Sequence, residues 1–216
     1  MSILRILSTA LITAGLLLLA DAGVTLAWQE PVSAFKGWQS QNAADDELDA
    51  IFAEFKTDKA PTRAQARRAA DRFEKSARTG RAIGKIRIPE IGVEQVIVEG
   101  TGLKTLKRGP GRYPDTSFPG QPGTIGIAGH RTTYGAPFRN IDKLGERNRV
   151  LVDMPYGTFV YRYERQEIVP PTRTSVVDDV SFDRIVLTAC HPLYSAEKRL
   201  VVFAKLEKIE APQRQG

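Results

Sequence analysis

The residues of this chain best suited to covalent chemistry are one cysteine, one arginine and a distant histidine. Cys190 is the only cysteine among 216 residues, so it has no partner for an internal disulfide. A cysteine acts as a nucleophile when a nearby base or cation favours its thiolate, and the chain offers His130 and His191. The oxyanion formed during acyl transfer also needs a donor, and Arg199 follows nine positions after the cysteine. These residue types together suit acyl transfer through a covalent acyl-enzyme.

Each of these residues also has an ordinary structural interpretation. Cys190 ends an apolar run, where a cysteine can serve as a small hydrophobe of the core. A lone histidine is often a satisfied structural residue. Arg199 begins a second apolar run, and an arginine there can mark the boundary between a strand and water. The residue types alone leave both interpretations open.

The two histidines differ in how extended strands would place them. His191 follows Cys190 directly, and neighbouring side chains on a strand point to opposite faces. It is therefore the poorer partner unless the chain turns sharply at Pro192. His130 ends the strand TIGIAG and enters the loop RTTYGAPF, so it can face a groove while the strand fixes its backbone. Strand geometry thus favours His130.

The elements that position these residues are predicted to be short strands separated by Gly/Pro turns. The alternation in KIRI and the apolar runs after it predict strands over residues 83–88, 95–98, 124–128, 149–153, 158–169, 184–190 and 200–205. Residues 101–107 predict a helical turn, 108–123 an irregular loop and 137–144 a short helix opened by proline. Seven or eight short strands with few helices predict a mainly β fold, a small closed β-barrel.

Residues 1–28 are predicted to form an N-terminal transmembrane signal-anchor. The segment 6–28 carries one charge, Asp21, and a bilayer core needs about 20 apolar residues. Arg5 indicates a cytoplasmic N-terminus, and Trp28 would lie in the interfacial belt. A cleaved signal peptide is the alternative, because the run before Asp21 is short and Ala20–Ala22 resembles a cleavage site. Both interpretations export the rest of the chain.

Residues 29–80 are predicted to link the anchor to a catalytic domain at 81–210, with a tail at 211–216. Residues 29–41 lack a period and predict a linker, whereas 42–55 and 62–77 have helical patterns separated by Pro61 and ended by Gly80. The two helices could pair as a hairpin, lie on the domain surface or form a solvated spacer. A further hypothesis makes this segment a lid over the active groove.

Composition narrows the range of partners. The net charge is +6, yet no basic recognition helix or aromatic-plus-basic RNA motif is visible, so no nucleic-acid partner is predicted. A basic surface also suits anionic lipid or a cell-wall polymer. One cysteine and two histidines are too few for a structural zinc site, and no metal or cofactor is predicted.

Three motifs together resemble the sortase family. The run VLTACHPLYSAEKRLVV resembles the signature in which a T-L-x-T-C strand end precedes a loop and an arginine opens the next strand. IAGHRTTYGAPF resembles the sortase histidine segment, and RGPGRYPDTSFPGQPG the loop before it. The motifs occur in family order over about residues 81–207. Their wording is most similar to class E sortases, the actinobacterial housekeeping type of Gram-positive bacteria.

The resemblance implies a closed eight-stranded sortase-type β-barrel that works as a cysteine transpeptidase. Cys190 would attack the Thr–Gly bond of an LPxTG or LAxTG sorting signal, His130 would act as general acid and then base, and Arg199 would hold the substrate and stabilise the oxyanion. The implied partners are exported proteins with a C-terminal sorting signal, and a cell-wall precursor or pilin amine as acceptor. The implied location is the cell membrane, single-pass, with the catalytic domain outside.

Thr188, Ala189 and Arg131 are predicted to contact the substrate beside these catalytic residues. Ala189 replaces the family threonine before the cysteine, which bears on how the sorting-signal backbone is oriented but not on the nucleophile. A rival from another class is a catalytically silent, exported β-barrel that binds wall components, with Cys190 as packing. A cysteine L,D-transpeptidase would need a histidine–glycine–cysteine pattern, which TACHP does not match.

Overall fold

Eight strands close into a barrel in the computed structural model, which describes residues 2–27, 31–55 and 59–213. The strands of these residues are β1 (Ala82–Ile88), β2 (Val93–Glu99), β3 (Gly111–Arg112), β4 (Thr124–Ala128), β5 (Arg149–Met154), β6 (Gly157–Val169), β7 (Arg184–His191) and β8 (Lys198–Glu210). Their order around the barrel is β1-β2-β3-β4-β7-β8-β6-β5. The pairs β2–β3 and β4–β7 are parallel. All other neighbouring pairs are antiparallel, including β1–β5, which closes the barrel. The predicted closed eight-stranded β-barrel is confirmed.

The alternation of side chains along β7 and β8 separates an inner from an outer face. Ile185, Leu187 and Ala189 of β7 join the main hydrophobic core, as do alternate residues of β8 beginning at Leu200. The intervening Val186 packs in a second cluster with Val169, Val201 and Phe203. Because strand side chains alternate, Cys190 belongs to the same outer face as Val186.

The connections differ from the predictions in two places. The expected loop 108–123 contains the short strand β3, which is held by the buried pair of Arg112 with Glu99. The helix predicted over 137–144 is wrong except for a 3-10 turn at Ile141–Lys143. Phe138 is fully buried, and its amide bonds back to the His130 carbonyl at 3.0 Å, so this segment folds as consecutive turns. The helical turn predicted at 101–107 is present as a short helix at Leu103–Leu106.

The first helix, α1 (Ser2–Ala27), is fit to cross a membrane by length and composition. Its segment Ile3–Val24 has a mean hydropathy of 2.1 and is the one such helix in the described part of the chain. The predicted interfacial residue Trp28 lies outside the described residues.

The second helix, α2 (Pro31–Glu54), starts earlier than the sequence indicates. The prediction of a linker is therefore wrong for residues 31–41. Ala44 and Leu48 pack against Ala82 and Val96 of the barrel, and earlier on the same helix face Gln41 is buried as well. The Gln41 amide donates to the Val96 carbonyl at 3.2 Å and accepts from the Val96 N–H at 2.7 Å. These contacts fix a helix whose inward face is small or polar up to Gln41 and apolar from Ala44 onward.

The third helix, α3 (Arg63–Ser76), joins the core of the barrel. Thr62 caps its N-terminus in a reciprocal capping box with Gln65. Phe73 contacts Phe118 and Tyr156 edge-on, with ring centroids 5.9 Å apart in each pair. Both helices therefore lie on the surface of the domain, one of the predicted arrangements, and do not form a solvated spacer.

Candidate active site

Cys190 and Arg199 face each other across two neighbouring strands. They are direct partners in the antiparallel ladder of β7 and β8, where opposed Cα atoms lie about 4.5–5.5 Å apart. Cys190 carries a free, half-buried thiol. Arg199 donates from Nη1 to the carbonyls of Ala196 at 2.9 Å and Lys198 at 3.0 Å. Its Nε and Nη2 have no partner among the described residues, so they remain available to a ligand.

His130 reaches the same edge of the barrel from the neighbouring parallel strand. In the register of β4 and β7, Ala128 is paired with Thr188, and the Gly129 amide bonds to the Thr188 carbonyl at 3.0 Å. Two positions further along each chain stand His130 and Cys190. β4 itself ends at Ala128, so His130 follows the end of this strand, and Cys190 lies near the end of β7. The fold therefore brings the predicted base and the predicted nucleophile to the same end of the barrel.

The surroundings of His130 favour its neutral form. Burial lowers the pKa of the imidazole, and the positive charge of Lys107 lowers it further. Nδ1 lies 3.4 Å from the Thr133 hydroxyl, and the ring is 5.0 Å from that of Tyr134. The buried Nε2 has no hydrogen-bond partner within the described ranges. An unpartnered buried nitrogen on a titratable ring is suited to exchanging a proton with a bound ligand.

A groove of about 630 Å³ is lined in part by outward-facing residues of β7 and β8, and Arg199 is the member of the trio that lines it. Thr188 and Arg199 line its floor, and Tyr113 lines one wall. The Tyr113 and Thr188 hydroxyls are 2.8 Å apart. The remaining lining residues come from the loop after β3 and from the β6–β7 connection: Asp115, Thr116, Val169, Pro171, Arg173, Thr174, Val176, Val177, Asp178, Asp179 and, on β8, Val201. A cavity of this volume lies within the range of ligand-binding pockets, about 300–1,000 Å³.

Two of the three predicted substrate contacts do not line the groove. Ala189 is 3% exposed and belongs to the main core inside the barrel. Arg131 is buried, with an ion pair to Asp142 at 3.0 Å and a contact to His191 Nδ1 at 3.0 Å. Only Thr188 lines the groove. The same network gives His191 a partner away from Cys190, in keeping with strand parity.

Sequence reasoning missed the walls of the groove. Tyr113 follows a strand of two residues, too short to create any hydrophobic period. Residues 173–179 form turns and a 3-10 segment at Thr174–Val177, which also has no periodic pattern. The one available signal was that Tyr113 belongs to the loop motif preceding the histidine segment.

Comparison with known proteins finds a matching family and several similar proteins. A family model described as the Sortase domain matches residues 86–207. The chain is 34% identical over 131 residues to Sortase D of Bacillus subtilis, which covers 59% of this chain and 65% of that protein. It is 32% identical over 153 residues to Sortase SrtE1 of Streptomyces coelicolor, covering 63% of this chain and 43% of that protein. It thus spans less than two thirds of each of these curated relatives.

A solved structure gives the same picture at the level of the backbone. A Sortase D5 transpeptidase of Clostridium perfringens superposes with a TM-score of 0.64 at 25% sequence identity. The match covers 77% of this chain and 99% of that one, so it extends beyond the barrel strands themselves.

Proposed function

The chain belongs to the sortase family, and we propose that it is a membrane-anchored cysteine transpeptidase. The match to the family model confirms the resemblance of its motifs to sortases, and class E members are among the similar proteins. The proposed reaction cleaves an LPxTG- or LAxTG-type sorting signal between Thr and Gly. The acyl group then passes to an amine of a cell-wall precursor or pilin.

The observation that carries this proposal is that three chemically matched groups lie at one end of the barrel. Cys190 and Arg199 are cross-strand partners, and His130 follows β4, the strand parallel to β7, at the same end of the barrel. A nucleophile, a donor for the oxyanion and a group able to transfer protons are the parts that acyl transfer requires. A binding module that used Cys190 only for packing would not need, opposite the thiol, a guanidinium whose Nε and Nη2 have no partner among the described residues.

In the proposed first step the thiolate of Cys190 attacks the threonine carbonyl carbon. The new S–C bond yields a tetrahedral oxyanion, which Arg199 stabilises through its free N–H donors. The C–N bond to glycine then breaks, and the His130 imidazolium gives its proton to the leaving amine. The product is a thioester on Cys190. In the second step neutral His130 takes a proton from the incoming amine, which attacks the thioester carbonyl. The S–C bond then breaks and the Cys190 thiolate leaves, which restores the thiolate–imidazolium pair.

The depressed pKa of His130 sets a limit on this mechanism. Because burial favours the neutral ring, the imidazolium is a minority form at pH 7. The first step needs that imidazolium together with a thiolate, so a small fraction of molecules is correctly charged at any moment. The second step needs the neutral ring, which the same environment supplies.

The groove supports an extended peptide as the substrate. Thr188 lies two residues before Cys190 on the same face of β7, so a peptide bound along this strand would lie close to the thiol. Because Ala189 and Arg131 are buried outside the groove, we retain only Thr188 as a substrate contact and add Tyr113. The two hydroxyls offer both donors and acceptors to a peptide backbone.

The proposed location is the cell membrane, with the barrel on the extracytoplasmic side. The support is the apolar segment of α1 and the single basic residue, Arg5, before the long uncharged run. In this arrangement the substrates are exported proteins that carry a C-terminal sorting signal.

The test is cleavage of LPxTG and LAxTG peptides in the presence of an amine acceptor. We expect turnover by the full-length protein and loss of at least about 10³-fold in kcat for Cys190→Ala and His130→Ala, with a large loss for Arg199→Ala. The matched control is Lys198→Ala, which removes an exposed cation next to Arg199. Circular dichroism should report an unchanged fold in every variant. An active Cys190→Ala protein would overturn the proposal.

A further inference from the structure

The first two turns of α2 carry an apolar stripe that no part of the described protein covers. Val32, Phe35 and Trp38 are 59%, 62% and 60% exposed, and their spacing of three places them along one side of the helix. The Phe35 and Trp38 rings lie 5.9 Å apart. Residues Ser33, Gly37 and Gln41 of the opposite side are buried against the barrel. An exposed aromatic pair beside an aliphatic residue is costly in water and indicates a partner.

The position of the stripe identifies the partner. Pro31 begins α2 only four positions after the end of α1, the helix fit to cross a membrane. At 1.5 Å per residue, Val32 to Trp38 spans about 9 Å. Each headgroup layer of a bilayer is roughly 5–8 Å thick, since the whole is about 40–45 Å and the hydrocarbon core about 30 Å. The stripe therefore has the extent of one interfacial layer.

The residues that follow on the exposed side mark where this layer would end. Asn42, Asp46 and Asp49 are exposed and polar or acidic. Acidic side chains are repelled by the negative surface potential of anionic lipids, whereas the exposed Lys36 within the stripe is attracted. The change from aromatic and basic to polar and acidic thus falls within the helix, beyond Trp38.

We propose that the first two turns of α2 lie in the headgroup layer of the bilayer, with Val32, Phe35 and Trp38 as the contacting side chains. This inference rests on the proposed anchoring through α1. Aromatic side chains prefer this layer because their rings are apolar and, for tryptophan, carry a polar N–H. The occupant of the stripe is therefore lipid rather than a second protein surface.

The opposite side of the same two turns contacts the loop that carries His130. The Tyr134 N–H donates to the Ser33 hydroxyl at 3.2 Å, and the Tyr134 ring lies 5.0 Å from that of His130. A Cβ built on Gly37 would come within 2.5 Å of the Tyr134 carbonyl carbon, so helix and loop are in close backbone contact. A bilayer that holds α2 would therefore also hold the histidine loop, and membrane docking would influence turnover.

The test measures the depth of Trp38 in full-length protein carrying Trp28→Phe, which leaves Trp38 as the single tryptophan. The protein is placed in vesicles of phosphatidylcholine and phosphatidylglycerol with lipids brominated at different depths. We expect strong quenching that is greatest for the shallowest bromine.

The matched control moves the tryptophan along the same helix to the acidic region, as Trp28→Phe with Trp38→Phe and Asp49→Trp. Asp49 is exposed and lies about three turns, or roughly 16 Å, beyond Trp38 on α2. A tryptophan there would stand outside the headgroup layer, so it should show little quenching.

Two outcomes would overturn the inference. Trp38 emission at the wavelength of a water-exposed indole, without quenching, would place the stripe in solvent. Blue-shifted emission without quenching would place it against protein, such as a second copy of the chain. Flotation of the same vesicles separates these results from failure of the anchor: a chain that does not float contradicts the proposed membrane location itself.

The coupling to catalysis has its own readout. Phe35→Ser with Trp38→Ser should reduce peptide turnover in vesicles by several-fold. Both side chains are exposed in the protein, so the thermal unfolding midpoint in detergent should stay unchanged. Unchanged turnover in vesicles would show that docking does not reach the histidine loop.

Discussion

Replacing Gly37 by alanine tests the contact between α2 and the histidine loop directly. In an ordinary helix this change is stabilising by about 1 kcal/mol, because glycine costs conformational entropy. Here the new Cβ would lie 2.5 Å from the Tyr134 carbonyl carbon, 2.7 Å from its oxygen and 3.0 Å from the Gly135 nitrogen. Ordinary van der Waals contact begins near 3.4 Å. The helix and the loop must therefore separate by roughly 1 Å, and backbone cannot rotate away as a side chain does.

A shift of that size is large for a catalytic group. Misplacement by about 1 Å can cost about 10²-fold in rate, so we expect kcat for Gly37→Ala to fall by one to two orders of magnitude. The assay is steady-state cleavage of a sorting-signal peptide by full-length protein. The matched control is Gly23→Ala in α1, where an added Cβ would have nothing within 4 Å. Wild-type kcat for a folded Gly37→Ala protein would refute the proposed support of the histidine loop by α2.

Three further perturbations follow from charges and from the predicted lack of a cofactor. Lys107→Ala should raise the pKa of His130, as measured by NMR titration. The pKa should stay below its ordinary value, because burial is the larger cause of the shift. An unchanged pKa would contradict the assigned role of Lys107. Arg112→Ala should lower the free energy of unfolding, measured in urea, by about 3–5 kcal/mol, because the Glu99 carboxylate stays buried without its partner. The matched control is Arg63→Ala, which removes an exposed ion pair and should cost less than about 1 kcal/mol. Chelators should leave peptide cleavage intact, and abolition by EDTA would overturn the prediction of metal independence.

The sign of the pH effect on stability follows from the same histidine. The pKa of His130 is lower in the folded protein than in the unfolded chain, so acidification protonates the unfolded state first. The contribution of neutral His130 to stability is intact above the pKa of the unfolded chain, about 6.5, and is lost as the pH falls through the lower pKa of the folded protein. His130→Gln should lack this component of acid destabilisation.

The barrel was predictable because every strand except the two-residue β3 carries its own hydrophobic pattern. The alternation of apolar and charged residues in β1 and the apolar runs of β4, β7 and β8 mark strands without any knowledge of their partners. The register of β4 with β7, which sets His130 and Cys190 at the same end of the barrel, depends on pairing between distant segments. The sequence could therefore suggest the histidine by strand parity and motif, whereas only the fold assigns its neighbours.

The position of Ala189 inside the barrel follows from the alternation of side chains along β7. The rule that turned His191 away from Cys190 applies equally to the residue before the cysteine, and the structure places Ala189 inside the barrel. The substitution of the family threonine by alanine at this position therefore concerns the packing of the core behind the nucleophile. Its predicted role as a substrate contact came from its match to the family threonine before the cysteine and not from strand geometry.

The start of α2 was missed for a different physical reason. Its inward face presents Ser33, Gly37 and Gln41, which are small or polar, so no hydrophobic period announces a helix. The helix is fixed instead by side-chain hydrogen bonds to the barrel backbone, including that of Gln41 to the Arg108 carbonyl at 2.6 Å. Such contacts become visible only when both partners are in place.

The most direct measurement for the central claim is intact-mass analysis of the protein after brief mixing with a sorting-signal peptide and no amine acceptor. Attack by Cys190 predicts an adduct equal to the peptide fragment that ends in threonine, mapped to the segment containing Cys190 and removed by hydroxylamine. Cys190→Ala should form no adduct, and Arg199→Ala should form it far more slowly. Cleavage of the peptide without any adduct on Cys190, or the same adduct on the Cys190→Ala protein, would contradict the account.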